Sequence, residues 1–235
     1  MNVIPVGILG ATGTVGQKFI RLLEHHPRFQ VHEVVASEFS KGKTYKEAIS
    51  HKQQNYIPKD IENLIVKSTS DSLSSKVLFS SLDSSASEIE THYAKNGHIV
   101  ISNSSTHRLS ENIPLIIPEV NPRHLSLIES QPWPGAIITN PNCSTMFLTM
   151  ALAPVHKAFG LDSVFVSTMQ AISGAGYPGV PSYDMIGNVI PYIKNEEEKI
   201  ERETLKLLGR LKENKIENAN IAISSQCNRV SVIDG

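Results

Sequence analysis

One stretch constrains this chain more than any other: Gly7-Ile8-Leu9-Gly10-Ala11-Thr12-Gly13-Thr14-Val15-Gly16, set straight after an apolar β-branched run and straight before a helical pattern. Val3 to Leu9 reads as a buried strand and Gly10 to Gly16 as a tight turn. Gln17 to His26 reads as a helix whose Phe19, Ile20, Leu22 and Leu23 face a sheet until Pro27 stops it. Glycine allows the sharp turn and lets phosphate oxygens reach backbone N–H groups, and the helix that opens there adds partial positive charge. Strand, turn and helix in this order form a dinucleotide fingerprint, with Gly10, Thr12, Gly13, Thr14 and Val15 as candidate contacts. The alternative is a tight turn in an unrelated α/β protein. Glycines at three-residue spacing weigh against it, because elsewhere they cost helix stability.

The first hundred residues alternate short β-branched runs with helical patterns, as βαβ units on a parallel sheet do. Val31 to Ala36, Lys76 to Ser80 and His98 to Ser102 are the further strands, and Ser87 to Lys95 is a helix ending at Asn96-Gly97. Ser37 to Asp60 and Ser68 to Ser75 are polar and read as loops or weak helices. Pro132-Trp133-Pro134-Gly135 precedes a short strand, Ala136 to Thr139. After Asn140-Pro141-Asn142-Cys143 come a helix over Ser144 to Phe159, a strand over Ser163 to Ala171, a charged amphipathic helix over Glu196 to Leu208, and a strand-like tail from Ala222 to Ile233. The expectation is an α/β chain: a Rossmann-type parallel-sheet domain over residues 1–142, then an α+β catalytic and dimerisation domain over 143–235. The tail stops at Gly235 with no turn or helix closing it, so this second domain is expected to be incomplete.

With 22 Lys plus Arg against 23 Asp plus Glu and no long run of one sign, nothing points to nucleic acid or an anionic membrane. The most apolar long window, Ala136 to Val155, is broken by Asn140, Pro141, Asn142 and several threonines, so a spanning helix is not expected. Two cysteines, Cys143 and Cys227, and a start without a basic, apolar leader point to free thiols in a reducing, cytoplasmic setting. A chain of 235 residues also buries a core without disulfide or metal support.

An NAD-preferring fold carries an acidic residue where the second strand ends. Here the strand ends at Ser37, followed by Ser40, Lys41 and Lys43, which suits a 2′-phosphate and favours NADP; Glu38 keeps NAD open. A charge-mixed loop is the bland alternative. Cys143 follows an Asn-Pro-Asn turn and precedes a helix, and a thiol at a helix N-terminus is favoured as the reactive thiolate. A lone cysteine is more often a small buried hydrophobe, which is the reading for Cys227. Cys143 differs in its company: the nucleotide turn upstream, Gln170 at a strand end, and the loop Ser173-Gly174-Ala175-Gly176. A thiolate and a nicotinamide together point to aldehyde oxidation through a thioester, with a general base to collect the thiol proton.

Four segments, Gly10 to Gly16, Asn140-Pro141-Asn142-Cys143-Ser144-Thr145, Gln170-Ala171-Ile172-Ser173-Gly174-Ala175-Gly176 and Glu196-Glu197-Glu198-Lys199, resemble in order and spacing those of aspartate-semialdehyde dehydrogenases. Ser173 to Gly179 is similar to the archaeal and fungal branch. The resemblance implies reversible, NADP-dependent conversion of aspartate semialdehyde and phosphate into aspartyl phosphate, an early step toward lysine, threonine and methionine. It further implies Cys143 as the nucleophile and Gln170 as the residue that orients the substrate. Arg108 and Lys199 are implied for phosphate, Glu196 for the substrate amino group, Arg229 for its carboxylate, and Ser37, Ser173 and Gly174 for cofactor contacts. Homodimers or homotetramers built through the second domain are the implied assembly. Each residue also has a plain reading: a loop arginine for Arg108, a solvated helix face for Glu196 and Lys199, a strand-end hydrogen bond for Gln170, a sheet-edge cap for Arg229.

Two departures stand out. Phe39 occupies a position where the family often has an arginine that holds the 2′-phosphate. The family's catalytic histidine follows the stretch that ends here at Gly235, and none of the nine histidines matches it, so low turnover is expected of these 235 residues alone. His107 and His156 are read as surface or core residues. N-acetyl-glutamyl-phosphate reductase, malonyl-CoA reductase and a non-catalytic nucleotide-binding module remain as competing readings.

Overall fold

Ile4–Leu9 (β1) is an unbroken apolar run, and from Val6 to Leu9 every residue is buried. A strand covered on both faces is what the middle of a parallel sheet requires. The computed structural model describes residues 3–49, 56–83, 87–176 and 178–233. Part of the expected Ser37 to Asp60 loop, together with Tyr177 and Gly235, lies outside them. The chain divides into two units, Met1–His107 with Gln131–Asn140, and Arg108–Ser130 with Pro141–Gly235.

In the first unit β1 is followed by Thr14–Leu23 (α1), Phe29–Ala36 (β2), Tyr45–Ala48 (α2), Lys67–Ser68 (β3), Val77–Ser80 (β4), Ser87–Lys95 (α3), Ile99–Ser102 (β5) and Ala136–Thr139 (β6). Six strands form one sheet in the order β3-β2-β1-β4-β5-β6, all pairs parallel. The chain runs from β1 outward through β2 to β3, then returns to the other side of β1 as β4. That reversal makes β1 the switch point, and ligands of open α/β sheets bind at the carboxyl end of the strand there. The core under this edge joins Val6, Ile8, Val31 and Val34 to Ile20 of α1 and Tyr45 of α2.

Helix α1 begins and ends three residues before the expected Gln17 to His26. Gln17 N–H already donates to the Gly13 carbonyl at 3.0 Å, so the first helical bond closes inside the glycine turn. At the other end His25 takes a positive φ of 58°, and the residue before Pro27 is pushed out of the helical region.

The second unit contains a run of 3-10 turns over Pro122–Ser130, then Cys143–Phe159 (α4), Ser163–Gln170 (β7), Ser182–Met185 (α5), Val189–Ile190 (β8), Glu196–Leu207 (α6), Arg210–Lys212 (β9), Lys215–Glu217 (β10) and Ala222–Val230 (β11). Its main sheet has the order β7-β11-β8, with β7 and β11 parallel and β8 antiparallel; β9 and β10 make a separate hairpin. The closing strand is therefore central in its sheet, not uncovered. Helix α6 packs against both α4 and β11, where Leu207 joins Leu115, Ile117 and Met146 in a small core. On the strand face opposite the partly buried Val164, Val166 and Thr168, Phe165 and Met169 are 78% and 71% exposed. No helix among the described residues is long and apolar enough to cross a membrane.

Candidate active site

The glycine turn sits at the carboxyl end of β1, at the switch point. Gly10 adopts φ +75°, a conformation side chains resist, and a Cβ on Gly16 would overlap the Gly10 carbonyl and come within 2.8 Å of Ala11 Cα. The turn is pinned from three directions. Ser81 Oγ donates to the carbonyls of Leu9 and Gly10, Tyr45 Oη donates to Ala11 O at 2.8 Å, and Gln17 Nε2 donates to Thr12 O at 2.9 Å. Gly13 caps α1 without a side-chain acceptor, and no acidic residue occupies the first turn, so nothing competes with an anion for the N–H groups there. This cradle fits a dinucleotide pyrophosphate. Thr12 and Thr14 are half-buried beside it, while Gly13 and Val15 are exposed.

At the end of β2, Ser37 and Phe39 are exposed and Ser40 is half-buried. Neither flanking charge is idle. Lys41 Nζ donates to Asp71 Oδ1 at 2.6 Å, a contact that raises its pKa, and Glu38 Oε1 accepts from Ser70 Oγ at 3.0 Å. These partners lie in the loop after β3, so the edge of the site is preorganised by residues remote in sequence.

In the second unit Cys143 is the first residue of α4 and exposed. Asn142 caps that helix: its Oδ1 accepts from the N–H groups of Ser144 at 2.9 Å and Thr145 at 3.2 Å. Its Nδ2 donates to Glu196 Oε1 at 2.8 Å, and its backbone N–H donates to Glu203 Oε2 at 2.6 Å. Lys199 lies 3.6 Å from the other Glu196 oxygen. Glu203 Oε1 in turn accepts from Arg108 Nη1 at 2.9 Å. Arg108, Glu196 and Lys199 are thus gathered along one face of α6, with the residue before Cys143 hydrogen-bonded to the same helix, although Arg108 is 95 residues from Glu203. The solvated-face reading of this helix fails, because Glu196, Glu203 and Lys206 are all buried.

Gln170 and Arg229 form a second group. Parallel pairing of β7 and β11 sets them directly opposite one another on the same side of the sheet. Arg229 is buried, and its Nη1 donates to Ala171 O at 2.6 Å, so it grips the start of the loop and not a sheet edge. Gly174 lies against the same guanidinium, since a Cβ there would stand 3.3 Å from Nη1. Ser173, in the 3-10 turn Ile172–Ala175, is half-buried. Cys227 is fully buried, and that burial pushes its thiol pKa up, which fits an inert core cysteine.

Glu203 and Lys206 are functional candidates that no sequence motif marks. Lys206 Nζ donates to the carbonyls of Arg108, Ser110 and Ile113 at 2.7 to 2.8 Å. Burial pushes its pKa down to about 8, against the opposing pull of the Glu203 carboxylate. In a helix as charged as Glu196–Leu207 the pattern alone does not separate a buried acid from a solvated one; their spacing at 196, 199, 203 and 206 along one face was the available signal.

Among known proteins, the model "Semialdehyde dehydrogenase, NAD binding domain" matches residues 5–128, and "Semialdehyde dehydrogenase, dimerisation domain" matches residues 152–235. The aspartate-semialdehyde dehydrogenase of Archaeoglobus fulgidus is 49% identical over 238 residues, which cover 98% of this chain and 68% of that one. The solved structure of aspartate-semialdehyde dehydrogenase with NADP from Candida albicans superposes with a TM-score of 0.91 at 39% identity, covering 99% of this chain and 69% of that one. Aspartate-semialdehyde dehydrogenase II from Vibrio cholerae, solved in complex with ASA, gives 0.79 at 28% identity, covering 99% and 72%.

Proposed function

The chain belongs to the aspartate-semialdehyde dehydrogenase family, and from that membership we propose that it interconverts L-aspartate 4-semialdehyde plus phosphate and L-4-aspartyl phosphate, with NADP as the redox partner. The activity lies early on the route to lysine, threonine and methionine. Residues 1–142 are read as the nucleotide-binding domain and 143–235 as the catalytic and dimerisation domain, with Arg108–Ser130 clustering with the second unit. What supports the division is a switch point in the first sheet and a nucleophile-bearing helix at the start of the second region.

The observation that carries the reading is the exposed thiol at the start of α4, whose preceding residue is hydrogen-bonded to two acids of α6. Cys143 Sγ attacks the aldehyde carbonyl and forms a thiohemiacetal. Gly10, Thr12, Gly13, Thr14, Val15, Ser37 and Ser40 would hold NADP, which when bound supplies the hydride acceptor, and the family resemblance adds Ser173 and Gly174 as cofactor contacts. With the hydride gone and the hydroxyl proton lost to solvent, a thioester remains on Cys143; phosphate, for which Arg108 and Lys199 provide the cations, takes its acyl group and leaves the thiolate. Arg229 offers a planar fork to the substrate carboxylate, Glu196 meets the amino group, and Gln170, opposite Arg229, orients the carbon skeleton. The exposed Phe165 and Met169 on the open sheet face support a homodimer or homotetramer assembled through this unit. Two free thiols support a reducing, cytoplasmic setting.

Replacing sulfur with oxygen tests the covalent route. Cys143→Ser is expected to lower aldehyde oxidation by roughly a thousandfold or more while NADP still binds; an undiminished rate would overturn the proposal. Running the same assay with phosphate or coenzyme A as acyl acceptor separates it from malonyl-CoA reduction.

A further inference from the structure

Arg108 is held to α6 at both ends. Lys206 Nζ donates to its backbone carbonyl at 2.8 Å, and Glu203 Oε1 accepts from its guanidinium at 2.9 Å. The second Glu203 oxygen accepts from the Asn142 N–H at 2.6 Å, one residue before the thiol. Glu203 is 2% exposed, so neither hydrogen bond is diluted by water, and a carboxylate left with one donor there would be costly. A simple counter-ion needs only the first of these contacts. The second ties the cation to the backbone from which α4, and with it Cys143, departs.

We propose that Glu203 is a positioning residue that bridges the Arg108 guanidinium to the peptide preceding Cys143, setting the distance between the phosphate cation and the sulfur. This rests on the reading of Arg108 as a phosphate ligand and Cys143 as the nucleophile. Guanidinium recognition of phosphate depends on the direction of its N–H fork. With one Nη anchored and the backbone clamped by Lys206, the rest of the fork has one aim.

Charge and position make opposite predictions, which gives the test. As a mere counter-charge, Glu203 would weaken phosphate binding, and removing it would tighten the complex. As a bridge, it must keep its full length. Glu203→Asp retains the charge but draws the carboxylate back by about 1.5 Å, one bond length, so that it no longer reaches both donors. Inorganic phosphate binding would be measured by titration calorimetry on the wild type, Glu203→Asp, Glu203→Gln, Arg108→Ala and the Arg108→Ala/Glu203→Asp pair, each checked for folding by circular dichroism. The expected result is about tenfold weaker phosphate binding in Glu203→Asp, the order of a lost charge-assisted hydrogen bond, with no further loss in the Arg108→Ala background. In the active enzyme the phosphate KM rises with it and the aldehyde KM stays within about twofold. If Glu203→Asp does not fold, Glu203→Gln carries the test, since positioning predicts weaker and counter-charge tighter binding. Unchanged phosphate affinity in Glu203→Asp, an equal loss with Arg108 already removed, tighter binding in Glu203→Gln, or a wild type that binds no phosphate would overturn the proposal. Coupling of Glu203 to Arg108 in phosphate binding, found together with an aldehyde oxidation rate that Cys143→Ser leaves undiminished, would instead sink the functional reading and leave this one standing.

Discussion

Asn142 joins the helix cap at the nucleophile to the acids of α6, and three substitutions take the two apart. Its Oδ1 caps α4 through the N–H groups of Ser144 and Thr145, and its Nδ2 satisfies Glu196 Oε1 at 2.8 Å, with Asn142 9% exposed. Losing the cap costs about 1 kcal/mol. Losing the donor to a buried carboxylate costs about 1.5 kcal/mol more, with Lys199 still beside the other oxygen. Asn142→Ala should therefore destabilise by about 2.5 kcal/mol, and Asn142→Ser, which keeps a capping oxygen, by about 1.5 kcal/mol. Asn142→Asp also keeps the cap but turns the donor into a second carboxylate against Glu196. It should be the worst of the three at pH 7.5. The sign of its pH dependence follows from the pair: two close carboxylates bind a shared proton more tightly folded than unfolded, so the deficit shrinks as the pH falls toward 5. Urea unfolding at pH 7.5 and 5.5 measures all three, and amide exchange at Ser144 and Thr145 should accelerate in the Ala variant alone. An Asp variant as stable as the Ser variant at pH 7.5, or a deficit unchanged at pH 5.5, would refute the reasoning.

Two further predictions concern the first unit. Glu33 accepts from Lys67 Nζ and the N–H groups of Ser74 and Ser75; burial pushes its pKa up, but those donors outweigh it and hold the value at about 2, against 4.5 for the free group. Because the folded pKa is depressed, the stabilisation is complete above pH 4.5 and fades as pH falls toward 2. With Lys67 partly screened by solvent it amounts to about 2 kcal/mol, so Glu33→Gln should lose that much at pH 7 and about a quarter of it at pH 2.5, read by denaturant unfolding at both. Gly16→Ala forces a Cβ into the Gly10 carbonyl. It should weaken NADP at least about tenfold by titration and lower stability by about 1 to 3 kcal/mol; an unchanged Kd would show that the turn tolerates the shift.

The elements most legible in the chain are those set by neighbours a few residues away. β1, the glycine turn and α1 follow from one apolar run, one spacing of glycines and one stopping proline. The strand ending at Gln170 and the helix starting at Cys143 are legible to within a residue, because alternation and an Asn-Pro-Asn turn act locally. The short pieces were not: β3, β8 and the β9-β10 hairpin have two or three residues each, too few to show a period.

What the order of residues determined by itself was a parallel nucleotide-binding sheet and an accessible cysteine at the head of a helix, since hydrophobic period, glycine conformation and helix capping are properties of short segments. Only the tertiary structure decided that Gln170 and Arg229 lie opposite each other, that the segment from Arg108 to Ser130 joins the second unit, and that Glu203 and Lys206 fall on the buried side of a charged amphipathic helix. Those outcomes depend on packing between segments far apart in the chain. Whether an acid on a charged helix meets water or a buried arginine is settled by what comes to rest against it, and no local pattern contains that partner.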